Sequence, residues 1–271
     1  MTGQTSSPFL TDASEIPLAE SPLVSVVAQL RFPLVAALHD IAGVVDFQDR
    51  IKGVYPVMRR ENQSEVAFSA DGAIVPGTSV PLWRFNGEEP GWIATLAPSW
   101  IALETTKYVN RDDFMTRWKF LLEVLATTNW APRVFDRLGV RYVDQLVGDQ
   151  EMSNLRRHIN PSVFGAVEIE DVLNDGAKLV GTVTQAHFEL PGAVMMSRWG
   201  KIPAGVAALP GIPPVDGVSW FLDVDVFLEG DEVTFDPASV VATSRSFAQH
   251  AYNFFRWVIT DDLIISRGGA V

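Results

Sequence analysis

The sequence contains no cysteine. Disulfides, thiolate nucleophiles and cysteine-based zinc sites are therefore excluded. Basic residues are scarce as well: 21 Lys and Arg stand against 33 Asp and Glu, a formal net charge of −12. A field of that sign repels nucleic-acid phosphates, whose binding relies on neutralisation by Lys and Arg, so direct nucleic-acid binding is not expected. Solubility, or a basic partner, accounts for the acidity more simply. No apolar run approaches the roughly 20 residues of a membrane-spanning helix, and no membrane association is expected. Residues 1–20 are acidic and rich in Ser and Thr, with no basic stretch leading into an apolar one, which points to a cytoplasmic protein.

Signatures of chemistry are missing too. There is no phosphate-binding G-x-x-x-x-G-K-[ST], no dinucleotide G-x-G-x-x-G, no H-E-x-x-H and no G-x-S-x-G. The four histidines, His39, His158, His187 and His250, are never three or four residues apart, so no single helix or strand presents a paired ligand set. The sequence accordingly assigns no catalytic residue, no metal and no cofactor.

What the chain does have is apolar content. At 47% hydrophobic and 10% aromatic residues, its 271 residues can bury a sizeable core, as one large domain or two small ones. Two stretches read alike. Residues 24–33 and 137–146 are apolar strands with an internal arginine, Arg31 in the first and Arg141 in the second. Alternation in the first puts Val26, Ala28, Leu30 and Phe32 on one face and Val27, Gln29 and Arg31 on the other. A short helix near 45–54 follows, with Asp46 in its first turn and Tyr55-Pro56 as its stop. Strands are expected at Glu65–Ala70, Pro81–Asn86, Trp92–Ala97 and Trp100–Tyr108, punctuated by Asp71-Gly72 and by residues 87–91. The clearest helix covers 111–128, with Asn110 as N-cap, acidic Asp112 and Asp113 in the first turn, and Phe114, Trp118, Leu121, Leu122 and Leu125 on one face.

The second half follows the same order: a strand at 133–146, a helical stretch at 154–159, an ambiguous acidic segment at 167–173, a hairpin of 178–190 with 193–202 through Pro191-Gly192, and a strand at 219–228. A further short strand is expected at 232–235, then a helix at 237–259 opened by Asp236-Pro237. Residues 203–217, rich in Pro and Gly, read as an ordered loop or a flap. The fold class is therefore α+β. Two pseudo-duplicated β-α-β(4)-α units form an antiparallel sheet with long helices on one face. Residues 1–20 form a flexible tail, 21–131 the first repeat and 132–271 the second, in one compact pseudo-symmetric unit.

The candidate site lies on the face away from those helices. Strand 219–228 puts Asp223 and Asp225 on one side, about 7 Å apart by strand rise. With Arg31 and Arg141 on the same side, the four would form a recognition surface, to which Tyr142 beside Arg141 is added. Planar guanidinium groups suit an anionic or zwitterionic group. The plainer alternatives are a structural Arg–Asp network and a solvated sheet face.

Several segments resemble one protein family. They are Ser21-Pro22-Leu23-Val24 leading to Leu30-Arg31-Phe32-Pro33, the Phe47…Ile51…Tyr55-Pro56 helix, Tyr108…Asp113-Phe114…Trp118, and the block Phe135–Asp144. The family consists of bacterial proteins of about this length, sporadically distributed and without an assigned activity. The resemblance covers residues 20–146 well and the remainder loosely. Its most specific element is R-x-G-x-R-Y-x-[ND], met here by Arg137, Gly139, Arg141, Tyr142 and Asp144. Asp144 stands where the family commonly has Asn. The patchy distribution implies mobile genes and accessory roles such as phage defence or toxin neutralisation.

Three functions follow for testing. The first is a non-catalytic interaction or accessory protein, antitoxin-like or part of a defence system, that binds a protein partner, with a homodimer as a further form of assembly. The second is a small-ligand-binding protein with a pocket between the sheet face and the 203–217 loop. The third is a metal-dependent hydrolase or nuclease built on Asp223 and Asp225.

Overall fold

A computed structural model describes Ser7, Phe9 and residues 13–68, 74–174 and 176–271, apart from the side chains of 63–68, 74–78 and Asp171. The expected break at Asp71-Gly72, and the end of the strand expected at Glu65–Ala70, lie outside the described residues. The protein is α+β. Strands β1 (Leu23–Arg31), β2 (Val57–Phe68), β3 (Ile74–Asn86), β4 (Trp92–Ala97), β5 (Trp100–Thr105), β6 (Val134–Val147), β7 (Thr184–Leu190), β8 (Ala193–Ile202) and β9 (Ser219–Thr234) form a nine-stranded sheet. Its order is β2-β3-β4-β5-β1-β6-β9-β8-β7. The helices are α1 (Ile41–Ile51), α2 (Arg111–Ala126), α3 (Asp149–His158), α4 (Pro237–Val258) and α5 (Asp261–Ser266), with short 3-10 turns between some of them.

Neighbouring strands run antiparallel. The hairpins β2-β3-β4-β5 and β7-β8-β9 pair in opposite directions. For β1 and β6 the direction follows from contacts at both ends. Gln145 N–H donates to the Pro22 carbonyl, whereas Arg31 meets Asp136. Numbers that rise along one strand fall along the other. The same holds for β6 and β9, where Gln145 meets Ser219 and Arg141 meets Asp223.

The chain packs into two compact units that do not follow its halves. One holds residues up to Val26, Arg141–Phe227 and Ser246–Val271; the other holds Val27–Val140 and Leu228–Arg245. The boundaries fall inside β1, β6, β9 and α4 rather than near residue 131, because these elements contribute to both. In the second of these units, α1 and α2 cover aromatic strand residues. Phe47 packs on Phe85, and Phe114 on Trp92. The Trp118 indole donates to the Ser244 hydroxyl at 3.3 Å, and the Trp83 indole to the Leu38 carbonyl at 2.9 Å. In the other unit, Phe254 of α4 meets Phe188 and Trp199 of the sheet.

Local chemistry explains the elements that match expectation. Asn110 accepts from the Asp113 N–H and caps α2. Asp236 accepts from the Ser239 N–H, which holds its carboxyl below the usual range. Val26, Ala28, Leu30 and Phe32 are buried, as the alternation requires. Pro191-Gly192 turns β7 into β8 with Gly192 at φ 74°.

Other expectations need correction. α1 begins at Ile41, so Asp46 is no first-turn residue; it pairs with Arg50 four residues on. β2 and β3 are twelve and thirteen residues long. The polar run Arg59–Gln63 hid the edge strand β2, and Pro76 and Pro81 hid most of β3. Both prolines sit where β3 is paired with β2 but lies beyond its pairing with β4, which spans Trp83–Asn86. Among the described residues three strands follow α3, because Glu232–Thr234 continue β9 through Gly230 and form no strand of their own. The end of the chain adds α5, capped by Thr260 through the Leu263 N–H. The tail expected to be flexible is anchored over residues 13–20. Ala13 N–H donates to Asn253, Ile16 N–H to the Tyr252 hydroxyl and Glu20 N–H to the Arg267 carbonyl. Among the described residues, no helix is long and apolar enough to cross a membrane.

One glycine shows how tightly the sheet is drawn. Thr182 donates its N–H to the Lys201 carbonyl at 2.9 Å, which brings its own carbonyl against β8. A Cβ on Gly200 would lie 1.9 Å from that oxygen. Gly200→Ala is expected to cost about 2 kcal/mol or more, since backbone must move. Urea denaturation reads this as a lower midpoint with an unchanged slope, and an unchanged midpoint would refute it.

Candidate functional site

β9 enters the sheet as a strand buried on both sides: Trp220, Phe221, Leu222, Asp223 and Val224 are all inaccessible. A carboxylate in that position loses its hydration and must be repaid by close partners. Asp223, 1% exposed, has two. From β6, Arg141 donates through Nε to Oδ1 at 2.6 Å and through Nη2 to Oδ2 at 3.1 Å. From β8, Arg198 donates through Nε and Nη2 to Oδ2 at 2.9 and 2.7 Å. Arg198 stands directly opposite Asp223 in the β8–β9 register. Both arginines keep about a quarter of their side chains exposed, 29% and 25%. Two guanidinium groups thus share one buried carboxylate, and Asp225 lies two residues further along the same side of β9. Among the described residues, Nη1 of either arginine has no hydrogen-bond partner within the chain.

The same side of these strands carries an apolar patch. Val143, Phe221 and Ile202, each two or four residues along its strand from Arg141, Asp223 and Arg198, pack with Leu209 of the 203–217 segment. Ala208 and Ile212 add to that cluster, so the segment is seated on the sheet and is not an open flap.

Arg31 belongs to a different network. It donates to Asp136 and to Glu229, both at 2.8 Å, and Arg137 donates to Gln29 at 3.2 Å and approaches Glu229. These partners are exposed by a third or more, so each pair contributes at most about 1 kcal/mol. The structure thus brings Arg141 and Asp223 together, while the carboxylates on Arg31 are Asp136 and Glu229. Asp225 is partly buried opposite Met196. Tyr142 takes the other side of β6 from Arg141 and Val143. The proposed metal pair is compromised at Asp223, because both of its oxygens already accept guanidinium N–H groups. Among the described residues, no group of three or more His, Asp or Glu could hold a metal ion.

Sequence reasoning missed Arg198. Its signal was an arginine inside the otherwise apolar strand Ala193–Ile202, but the register that sets it opposite Asp223 spans a long loop. Also missed was the burial of Asp144. β6 is buried on both sides there, with Gln145 donating to Ser219 at 3.0 Å. Asp144 has no hydrogen-bond partner among the described residues, and burial pushes its carboxyl up to about 8.

Two expectations follow. Asp223→Ala should cost about 3–5 kcal/mol, because it strands two guanidinium groups against each other, and Arg141→Ala less, because Arg198 remains on the carboxylate. Equal losses in urea denaturation would refute this coupling. For Asp144, the unfolded chain releases its proton near the ordinary 3.8 of an aspartate, while the folded chain holds it to about 8. Between those values the folded state binds the extra proton, so its contribution to stability falls as pH rises through that window and levels off above it. Asp144→Asn should remove that slope and exceed the wild type most at pH 8 and above; parallel Tm–pH curves for the two proteins would overturn it. Compared with protein-family models and with curated proteins, the chain matches none.

Proposed function

We propose that the protein is a non-catalytic recognition protein of the cytoplasm, and that Arg141 and Arg198 present their unused Nη1 edges to a carboxylate on a protein partner. The observation that carries this is the pair of guanidinium groups oriented by one buried carboxylate, each with donors to spare. Orientation in advance removes much of the ordering cost of binding. The net charge of −12 favours a partner whose surface is otherwise basic, and disfavours nucleic acid. A chain without cysteine is in keeping with the cytoplasm. The resemblance to sporadically distributed bacterial proteins extends the proposal to an accessory, antitoxin-like or phage-defence component.

The duplication belongs to the same proposal. Its support is the strand order: outward from β1 come β5, β4, β3 and β2, and outward from β6 come β9, β8 and β7. In each series the last strand of a half lies beside its first, and a long helix follows. A small-molecule pocket on this sheet face has less in its favour, because Leu209 occupies the space beneath the 203–217 segment.

Arg141→Lys/Arg198→Lys keeps two cations on Asp223 but removes the planar second edge. Affinity purification from the native host should recover a partner with the wild type, and the double variant should bind that purified partner at least tenfold more weakly at unchanged Tm. Recovery of the wild type alone, or equal affinity of both proteins, would overturn the proposal. Self-association alone would assign the surface to a homodimer.

A further inference from the structure

A cavity lies on the opposite side of β8. Lys201 is three residues beyond Arg198 on a regularly paired strand, so its side chain leaves the other face. There it meets α3 and the 3-10 segment Gly165–Val172 around a partly open cavity of about 320 Å³. That volume is at the lower end for small-molecule sites. Its wall has two parts. Met152, Leu155 and Val167 are apolar, and Arg156, Lys201 and Glu170 are charged.

Each cation of the wall is already held in place. Lys201 is bonded to Glu170 and donates to the Leu179 carbonyl at 3.3 Å. Its side chain is mostly buried, 14% exposed, and lines the cavity. Arg156 lies over Phe164, 5.6 Å from the ring centre, and donates to Glu168 at 3.0 Å and to the Val167 carbonyl at 3.4 Å. Each cation thus has one carboxylate partner, Lys201 the wall residue Glu170 and Arg156 the more exposed Glu168 outside the wall. A ligand with net charge would upset that pairing in a partly enclosed site, whereas one carrying both signs would not.

We propose that this cavity binds a small aliphatic zwitterion of the α-amino-acid class. The ligand carboxylate would meet Arg156 and Lys201, its ammonium Glu170, and its aliphatic side chain the wall of Met152, Leu155 and Val167. The site is independent of the Arg141–Asp223–Arg198 surface and stands whether or not that surface binds a protein.

L-leucine is the probe, with isocaproate and isoamylamine as analogues that each lack one charge. Calorimetric titration should show saturable binding of leucine, and Tm should rise by about 3 °C at ten times its dissociation constant. Each analogue should bind at least tenfold more weakly. The double variant Glu170→Gln/Lys201→Met removes both members of one ion pair, leaves no unpaired charge and should keep the wild-type Tm without ligand. It should lose the leucine response. Absence of leucine binding to the wild type, equal binding of either analogue, or an undiminished response in a folded double variant would each overturn the proposal.

Discussion

A carboxylate buried in the middle of a strand must find positive charge within hydrogen-bond reach, and Asp223 finds it on both neighbouring strands. Much of the organisation around it depends on that requirement. Register in a sheet is usually fixed by alternation, because a slip of one residue carries every apolar side chain to the wrong face. Over Trp220–Val224 that device is weak, since both sides of β9 are buried and apolar residues suit either. Asp223 is the exception. A one-residue slip of β6 or β8 would take Arg141 or Arg198 to the opposite side and leave the carboxylate half-paired. The ion cluster thus discriminates among pairings that hydrophobic burial would accept almost equally.

Arg31 makes as many bonds to carboxylates and yields far less. Its partners Asp136 and Glu229 stay in contact with water, which screens their attraction and competes for their hydrogen bonds. Two arginines of the central strands β1 and β6 therefore differ in physical weight because of the burial of their partners, not because of residue type.

Elements whose signals are local were legible in the sequence. The Asn110 cap, the Asp236-Pro237 start, the Pro191-Gly192 turn and the alternation of β1 each depend on a few adjacent residues, and each is found as expected. Elements whose form depends on distant partners were not. β2 carries a polar run at the sheet edge, and β9 runs on through Gly230 to a backbone bond from the Phe235 N–H to the Arg133 carbonyl. The site divides in the same way. Arg141 and Asp223 stood out as charges within apolar strands, and the structure joins them. Arg198 gains its meaning from a register set across the 203–217 segment, and the burial of Asp144 depends on what covers both sides of β6.

Asp144 and Asp223 show two resolutions of one problem. Both are aspartates in strands buried on both sides. Asp223 is answered by guanidinium groups. Asp144 is answered by a proton, which burial holds on its carboxyl up to about 8. Arg141, three residues before Asp144 on the same strand, cannot serve both, because an odd separation sends the two side chains to opposite faces and its Nε and Nη2 are committed to Asp223. With Arg141 held on the side of Asp223, Asp144 keeps a proton instead, and at that position an amide would meet the same packing without the need for one.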